Sequence, residues 1–377
     1  MSDIKGVNPD KWVQNGYTRA HTDDVLLFVH GALPGETVSV EIVKQVAGHA
    51  FGIVTEVTTP GNDRIKSDCD VFPECGGCSF RHISYDHELS LKRSLLKELK
   101  YLDLCFNNSH GEFIHSERNE YRNHIQIHSE HDVTGFFKLH SNSIVSIPAS
   151  GCKNLSEKMN HAVREFFPSG RGTFRFREIS GKIYPPDELS RMDSVREILP
   201  HDSGELIWEF PPDGFFQQNR FLVERWLLTL SGWIPEKNPD TIELFCGSGL
   251  LGGYVRDKIG GYKGFEYHKR SLYFARKNFG RMKIHGSFES MDLYRSVPDF
   301  SGSGLIIANP PRAGLKKNIV DGLENWKGNL IYSSCNPHTM NRDIKYLLDI
   351  GFSCNHSAIF DFFPGTPHLE VAMSFVR

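Results

Sequence analysis

The sequence predicts an α/β protein. A doubly wound parallel sheet occupies the C-terminal half, a small β-barrel stands in front of it, and a central α+β segment carrying cysteines lies between. Three observations predict this. From about residue 215, short apolar runs alternate with helical stretches. Before residue 60, period-two segments are closed by Gly and Pro turns. Between 61 and 83, three cysteines fall within one loop. The expected units are 1–60, 61–210 and 211–377.

In the first unit, Val25–Val29 reads as a strand, Leu33-Pro34-Gly35-Glu36 as a turn, and Thr37–Val43 alternates with period two. Phe51–Val57 reads as a third strand, closed by Thr59-Pro60-Gly61-Asn62. In the second, residues 85–102 carry Leu89, Leu91, Leu95, Leu96 and Leu99 at helical spacing, with lysines between them. The stretch from about 112 to 210 mixes short strands and turns and resists parsing. In the third, Thr241–Phe245, a strand ending at Lys263–Glu266, Leu305–Ala308 and Asn329–Ser333 read as buried strands with helices between them.

Length and composition bound the function. A chain of 377 residues exceeds one small core. Its 39% hydrophobic and 24% charged content is ordinary for a globular protein. No apolar run of about 18 residues exists, so no membrane span is expected. The opening MSDIKGVNPDKW lacks a basic region followed by an apolar stretch, so a signal peptide is not expected, and the cytoplasm is. In that reducing compartment eight cysteines point to metal binding or catalysis rather than disulfides. A net charge of −3 gives no global sign of a nucleic-acid partner.

Four constellations carry chemistry. Cys69, Cys75 and Cys78, with Cys152 as a fourth candidate, suit zinc or an iron–sulfur cluster, and spacing does not separate the two. Glu243-Leu244-Phe245-Cys246-Gly247-Ser248-Gly249 runs from a strand into a glycine loop, and Glu266 follows 21 residues after Phe245. A carboxylate there can accept both hydroxyls of a ribose, so the pair suits a nucleoside cofactor, S-adenosylmethionine (SAM) at least as well as NAD. Asn309-Pro310-Pro311-Arg312 puts an amide and a guanidinium at the carboxyl edge of the sheet, although an ordinary Pro-rich turn reads the same way. Cys335, in Ser334-Cys335-Asn336-Pro337, also follows a strand. Alone it is more often a buried structural thiol than a nucleophile. Glu370 lies in the apolar stretch Leu369–Met373, where desolvation would raise its pKa toward that of a general base; the plain alternative is an exposed strand position.

Together these motifs resemble the RNA uracil-5 methyltransferases that make 5-methyluridine in rRNA and tRNA, over nearly the whole chain. Phe215-Phe216-Gln217-Gln218-Asn219 is similar to the family's Phe-Phe-Gln-x-Asn, and Glu243–Gly249 to its SAM loop. Asn309–Arg312 is similar to its Asp/Asn-Pro-Pro-Arg. Ser334–Pro337, followed by Arg342-Asp343, is similar to its nucleophile motif, and His368-Leu369-Glu370 to its base motif. Residues 1–60 resemble the TRAM RNA-binding barrel of many members.

The resemblance implies a Rossmann-like SAM-dependent methyltransferase domain. It implies Cys335 as nucleophile and Glu370 as base, with Gln217, Phe245, Glu266 and Asn309 at SAM. Arg312 would orient the base or polarise Cys335. Cys69, Cys75, Cys78 and Cys152 would hold a [4Fe-4S] cluster. The implied partner is RNA, with 23S rRNA first and tRNA second, and the implied protein is a monomer without a membrane partner.

Departures from the pattern are local. Asn309 stands where many members have Asp, Leu250-Leu251-Gly252-Gly253 replaces a more usual Asn/Thr-Phe, and Arg81 replaces a usual Gln. Residues 1–60 are acidic: Lys5, Lys11, Arg19 and Lys44 face Asp3, Asp10, Asp23, Asp24, Glu36, Glu41 and Glu56. RNA binding there would need a local basic or aromatic patch. Three other readings remain at this level: cytosine-5 methylation, an RNA-binding protein with a decayed site, and an iron–sulfur electron carrier.

Overall fold

The computed structural model describes residues 3–22, 25–235 and 238–377, so Asp23 and Asp24 lie outside the described residues. The N-terminal unit is a six-stranded sheet. In chain order its strands are Asp3–Val7, Lys11–Val13, Tyr17–His21, Leu26–His30, Thr37–Val46 and His49–Thr59, arranged 1-5-6-4-3-2. Its core is Val7, Ala20, Leu27, Val29, Ala32, Val38, Val40 and Ala50. Nearly all of these come from the one sheet, which must therefore coil around its own apolar face. The three expected strands are present: the first is shifted by one residue, to Leu26–His30, and the other two are longer than read. The three before residue 22 were not legible, because DIKGV, KWV and YTRAH carry no clean alternation.

The charge of this unit is less acidic at its surface than the sequence suggests. Glu36 is fully buried. It accepts from the backbone N–H of Leu33 (2.8 Å) and Gly61 (2.9 Å) and from Arg64 Nε (2.5 Å) and Nη2 (2.6 Å). Its charge clamps the sheet to the following loop instead of facing solvent. Asp10 is likewise paired with Arg19.

The expected 61–210 unit contributes to two structures. Strands His124–Glu130, Val133–Phe137, Ile144–Ser146, Gly172–Ile179 and Lys182–Tyr184 form a separate five-stranded antiparallel sheet. The helix Glu157–Arg164 packs on it through Met159 and Val163, against Ile125, Ile127 and Phe176. Residues 85–114 instead join the C-terminal sheet, with Glu112–Ile114 as its edge strand. The hairpin Val195–His201 and Gly204–Phe210 also packs on that side, through Trp208 and Phe210.

The single helix expected over 85–102 is two, Tyr85–Leu96 and Lys100–Asn108. Ser84 caps the first, its side chain accepting from His87 N–H. The second begins where Asn341 Oδ1 accepts from the backbone N–H of Tyr101 (2.9 Å) and Leu102 (3.0 Å). That cap comes from the far end of the chain, so local periodicity could not reveal the break.

From residue 241 the strands are Thr241–Leu244, Tyr262–Glu266, Ser287–Ser290, Leu305–Ala308, Asn329–Ser334, Ser353–Phe360 and Glu370–Val376. Numbered in that order they lie 3-2-1-4-5-7-6. The first five are mutually parallel, and Glu370–Val376 runs antiparallel to both of its neighbours, Asn329–Ser334 and Ser353–Phe360. Side chains alternate between two cores. Ile242, Leu244, Ile306, Ala308, Leu330 and Tyr332 face the helices Lys316–Gly322 and Pro337–Asp349. Leu305, Ile307 and Ile331 face the helix Val223–Gly232. Burial on both faces explains why these strands read as continuous apolar runs. Among the described residues no helix is long and apolar enough to cross a membrane.

Candidate active site

The strand order reverses between Thr241–Leu244 and Leu305–Ala308, and ligands of such sheets bind at the carboxyl ends of the strands flanking that point. The chain leaves Thr241–Leu244 through Phe245 at φ 58°, a left-handed conformation uncommon for a bulky side chain, then Gly247 at φ 55° and Gly249 at φ 80°. Glu266, at the end of the neighbouring strand, braces this loop. Its two carboxylate oxygens accept from Gly247 N–H (3.1 Å) and His268 N–H (2.8 Å). Each oxygen retains a free lone pair for a hydroxyl donor.

The departure at Leu250-Leu251-Gly252-Gly253 has a packing cause. A Cβ on Gly252 would lie 2.1 Å from the Tyr262 ring, and one on Gly253 would lie 2.5 Å from Trp208. Beneath the loop sits Glu243, a residue with a structural part that the sequence reading did not assign. It is buried and accepts from Gly252 N–H (2.8 Å) and Tyr262 OH (2.7 Å). Burial raises its pKa to about 7 despite those bonds.

Asn309 directly follows its strand, half-buried. Gln217, on the chain segment that joins the strand Gly204–Phe210 to the helix Val223–Gly232, is buried, and its backbone carbonyl accepts from Asn123 Nδ2 (2.7 Å). It lines neither of the two cavities described below.

Cys335 and Glu370 meet at the next part of the same edge. Cys335 follows the strand Asn329–Ser334 and is half-buried. The residues that follow it are tied to the loop 309–314: Arg312 carbonyl accepts from Asn336 Nδ2 (2.9 Å) and Thr339 Oγ1 (3.0 Å). Arg342 and Asp343 secure the same loop, Arg342 Nη2 donating to Ala313 carbonyl (2.9 Å) and Asp343 Oδ2 accepting from Leu315 N–H (2.7 Å) and Tyr332 OH (2.9 Å). Desolvation and the neighbouring Glu370 charge push the Cys335 thiol up to about 11, while Arg312 pulls it down. The N-terminus of the helix Pro337–Asp349 lies just beyond Cys335 and favours negative charge there.

Glu370 begins the last strand, with Phe360 across the ladder, and is 2% exposed. Ser333 Oγ donates to Glu370 Oε1 (2.5 Å) and accepts from Trp226 Nε1 (3.0 Å). Burial raises the Glu370 pKa to about 7, and the Ser333 bond works against the rise. Cys335, Arg312, His368 and Leu369 line a cavity of about 240 Å³. A thiol that can add to an electrophile and a buried carboxyl able to take a proton near neutral pH therefore stand beside one another.

Cys69, Cys75, Cys78 and Cys152 all line a second cavity of about 600 Å³. Among the described residues no three His, Cys, Asp or Glu side chains converge closely enough to hold a metal ion. The thiols surround a space and do not meet at a point. Burial and mutual repulsion raise Cys75 to about 12 and Cys152 to about 11. Arg81 is buried among them, with Nη1 donating to Asp68 (3.2 Å) and Asn119 (2.6 Å) and Nη2 to Asn154 (2.5 Å). Asn154 in turn donates to Cys78 Sγ (3.3 Å).

A parallel sheet with a glycine loop and a spaced acid at its switch point, flanked by a thiol–carboxyl pair, defines a nucleoside-cofactor transferase of the SAM-dependent methyltransferase class. The family model described as tRNA (Uracil-5-)-methyltransferase matches residues 290–377. An uncharacterized RNA methyltransferase of Leptospira interrogans serogroup Icterohaemorrhagiae serovar copenhageni is 33% identical over 97% of this chain and 93% of its own. The 23S rRNA (uracil(1939)-C(5))-methyltransferase RlmD of Marinomonas posidonica is 24% identical over 94% of this chain and 91% of its own. The crystal structure of Pyrococcus abyssi tRNA (uracil-54, C5)-methyltransferase in complex with S-adenosyl-L-homocysteine superposes with a TM-score of 0.77 over 99% of each chain, at 23% identity. The chain belongs to the RNA uracil-5 methyltransferase family, and its activity is SAM-dependent methylation of uracil C5 in RNA.

Proposed function

We propose that the substrate is 23S rRNA and that Cys335 and Glu370 carry the reaction by covalent catalysis. The observation that carries the mechanism is the placement of Cys335 on a cavity wall, with buried Glu370 close enough behind it for its charge to raise the thiol's pKa. Uracil C5 is a poor nucleophile. Addition of the Cys335 thiolate to C6 moves the C5=C6 electron pair into an enolate across C5, C4 and O4. SAM, when bound, would supply an electrophilic methyl group to C5, the electron pair of its S–CH3 bond staying on sulfur as S-adenosylhomocysteine. Glu370 then accepts the C5 proton, the electrons of the broken C–H bond restore C5=C6, and the Cys335 thiolate leaves. The target base must leave its stack to reach this cavity.

Phe245, Glu266 and Asn309, at the ends of adjacent strands, and Gln217 on the preceding segment, are assigned to SAM. Glu266 retains acceptor capacity for the ribose. Cys69, Cys75, Cys78 and Cys152 are assigned to a [4Fe-4S] cluster. All four thiols line one cavity, which is what supports reading them as a single ligand set. Such a cluster would cross-link the 69–78 loop to Cys152, and the methyl transfer requires no electron from it. The N-terminal sheet offers an RNA surface that does not depend on net charge. Phe28, His49 and Phe51 pack ring against ring, Phe51 lies 4.8 Å from His140, and Lys44 Nζ lies 6.0 Å from the Phe51 ring. The protein is assigned to the cytoplasm, as a monomer, where rRNA is found.

Mapping 5-methyluridine by mass spectrometry in rRNA and tRNA from a strain lacking the protein tests the target. Loss of a 23S rRNA site supports the assignment, and loss confined to tRNA overturns it. RNA carrying 5-fluorouracil tests the chemistry. It must form a denaturation-resistant adduct with the native protein and none with Cys335→Ala.

A further inference from the structure

The cavity at Cys335 has a wall that the catalytic motifs do not supply. Gln14 and Asn15, from the N-terminal unit, line it together with Arg312, Cys335, His338 and His368. They sit on the tight turn Gln14–Gly16, between the strands Lys11–Val13 and Tyr17–His21. Gln14 is half-buried and Asn15 exposed.

The turn is held rigidly in that place. Asn15 adopts φ 65° and Gly16 φ 76°, both left-handed. Gly16 is buried against the cysteine loop, where an added Cβ would lie 2.6 Å from Ser79 Cβ and 3.3 Å from the Phe80 ring. Ser79 and Phe80 donate their backbone N–H groups to Gly365 carbonyl (2.6 and 3.2 Å). Gly365 lies in the loop that leads to His368 and Glu370. Trp12, just before the turn, packs edge-on against Phe80 with centroids 5.8 Å apart. A continuous stack thus runs from the turn through Ser79 and Phe80 to the loop bearing the base. The backbone that carries Gln14 and Asn15 cannot shift away from the cavity without disturbing that stack.

We propose that Gln14 and Asn15 are positioning residues of the methylation site. Their side-chain amides hydrogen-bond to the uridine nucleotide delivered to Cys335 and hold its C6 against the thiol. An amide offers a donor and an acceptor side by side, the same pattern that the N3–H and carbonyl oxygens of uracil require. The cavity, at about 240 Å³, is of a size for a base and little more, so groups on its wall face the nucleotide itself. The N-terminal unit then places the reacting base as well as tethering RNA. The proposal rests on Cys335 as the nucleophile.

The test follows adduct formation with 5-fluorouridine RNA at saturating concentration, using the full-length protein as purified. Gln14→Ala and Asn15→Gly, the latter keeping the left-handed backbone, are each expected to slow adduct formation about tenfold. RNA affinity by filter binding should change less than threefold, and Tm should stay within about 2 °C. Asn15→Asp, which keeps the shape but not the donor, should also be slow. Wild-type adduct rates in both Gln14→Ala and Asn15→Gly overturn the proposal. So does weakened RNA affinity with an unchanged rate at saturation, which would make the turn a general RNA contact. If the native protein itself forms no adduct, the nucleophile assignment fails instead, and that outcome is separate from either variant.

Discussion

Ser333 Oγ donates a 2.5 Å hydrogen bond to Glu370 while accepting one from Trp226 Nε1, so a buried tryptophan on one helix reaches the carboxyl through a single hydroxyl. The relay fixes the carboxyl's orientation and favours its charged form against a burial that opposes it. Ser333→Ala removes that support. The acid limb of the kcat–pH profile, which reports Glu370 ionisation, should move to higher pH, with a several-fold loss of rate at pH 7. Trp226 Nε1 would also lose its acceptor, costing about 1–3 kcal/mol in urea unfolding.

Glu370→Gln should arrest the cycle after methyl transfer. With native Cys335 and SAM, a covalent RNA–protein adduct should accumulate and be visible on a denaturing gel. Absence of such an adduct, together with retained SAM binding, would remove Glu370 as the base.

The same substitution should have the opposite effect on stability. The folded-state pKa of Glu370 is raised to about 7 from an ordinary 4.5, so the fold favours the protonated form. Its stabilising contribution is complete below about pH 4.5 and is lost as pH rises through 7. Glu370→Gln should therefore be no more stable than the native protein at pH 4.5. By pH 8 it should gain up to about 3 kcal/mol. A stability difference independent of pH would exclude the raised pKa.

Gly252→Ala places a methyl group 2.1 Å from the Tyr262 ring and disturbs the Gly252 N–H donated to Glu243. It should cost about 2–4 kcal/mol and abolish calorimetric SAM binding. A variant that binds SAM normally would show that the glycine loop can repack.

On the proposed cluster assignment, anaerobically purified native protein should carry iron and absorb in the visible, and Cys75→Ala should lose both. Iron retained at native stoichiometry would mean that Cys75 is not a cluster ligand.

Much of the catalytic half was legible because both faces of its central strands are buried. Leu305–Ala308 reads as a strand at its true bounds, since every residue in it is apolar. Glu370 was legible as a desolvated acid because Leu369 and Val371 flank it. Three things were hidden. The strands Asp3–Val7, Lys11–Val13 and Tyr17–His21 are held by ladder pairing and carry no clean pattern. The break at Lys97–Leu99 depends on a cap from Asn341. The approach of Gln14 and Asn15 to Cys335 depends on packing between segments more than 300 residues apart in the chain. Arg81, conspicuous as a departure, has its explanation in three side-chain oxygens contributed by Asp68, Asn119 and Asn154.

The edge strand Glu112–Ile114 pairs parallel with Ala358–Phe360, near the end of the chain. Leu96, Leu99, Leu102, Cys105 and Phe106, on the segment leading to it, are buried against residues such as Met340, Leu347 and Phe375. During synthesis these side chains emerge long before their partners exist. The N-terminal sheet can close around its own core at once, but this helical segment must wait for nearly the whole protein to leave the ribosome. Until then it presents an apolar face to the cell, so maturation of the enzyme should depend on a chaperone or on rapid translation of its last fifty residues.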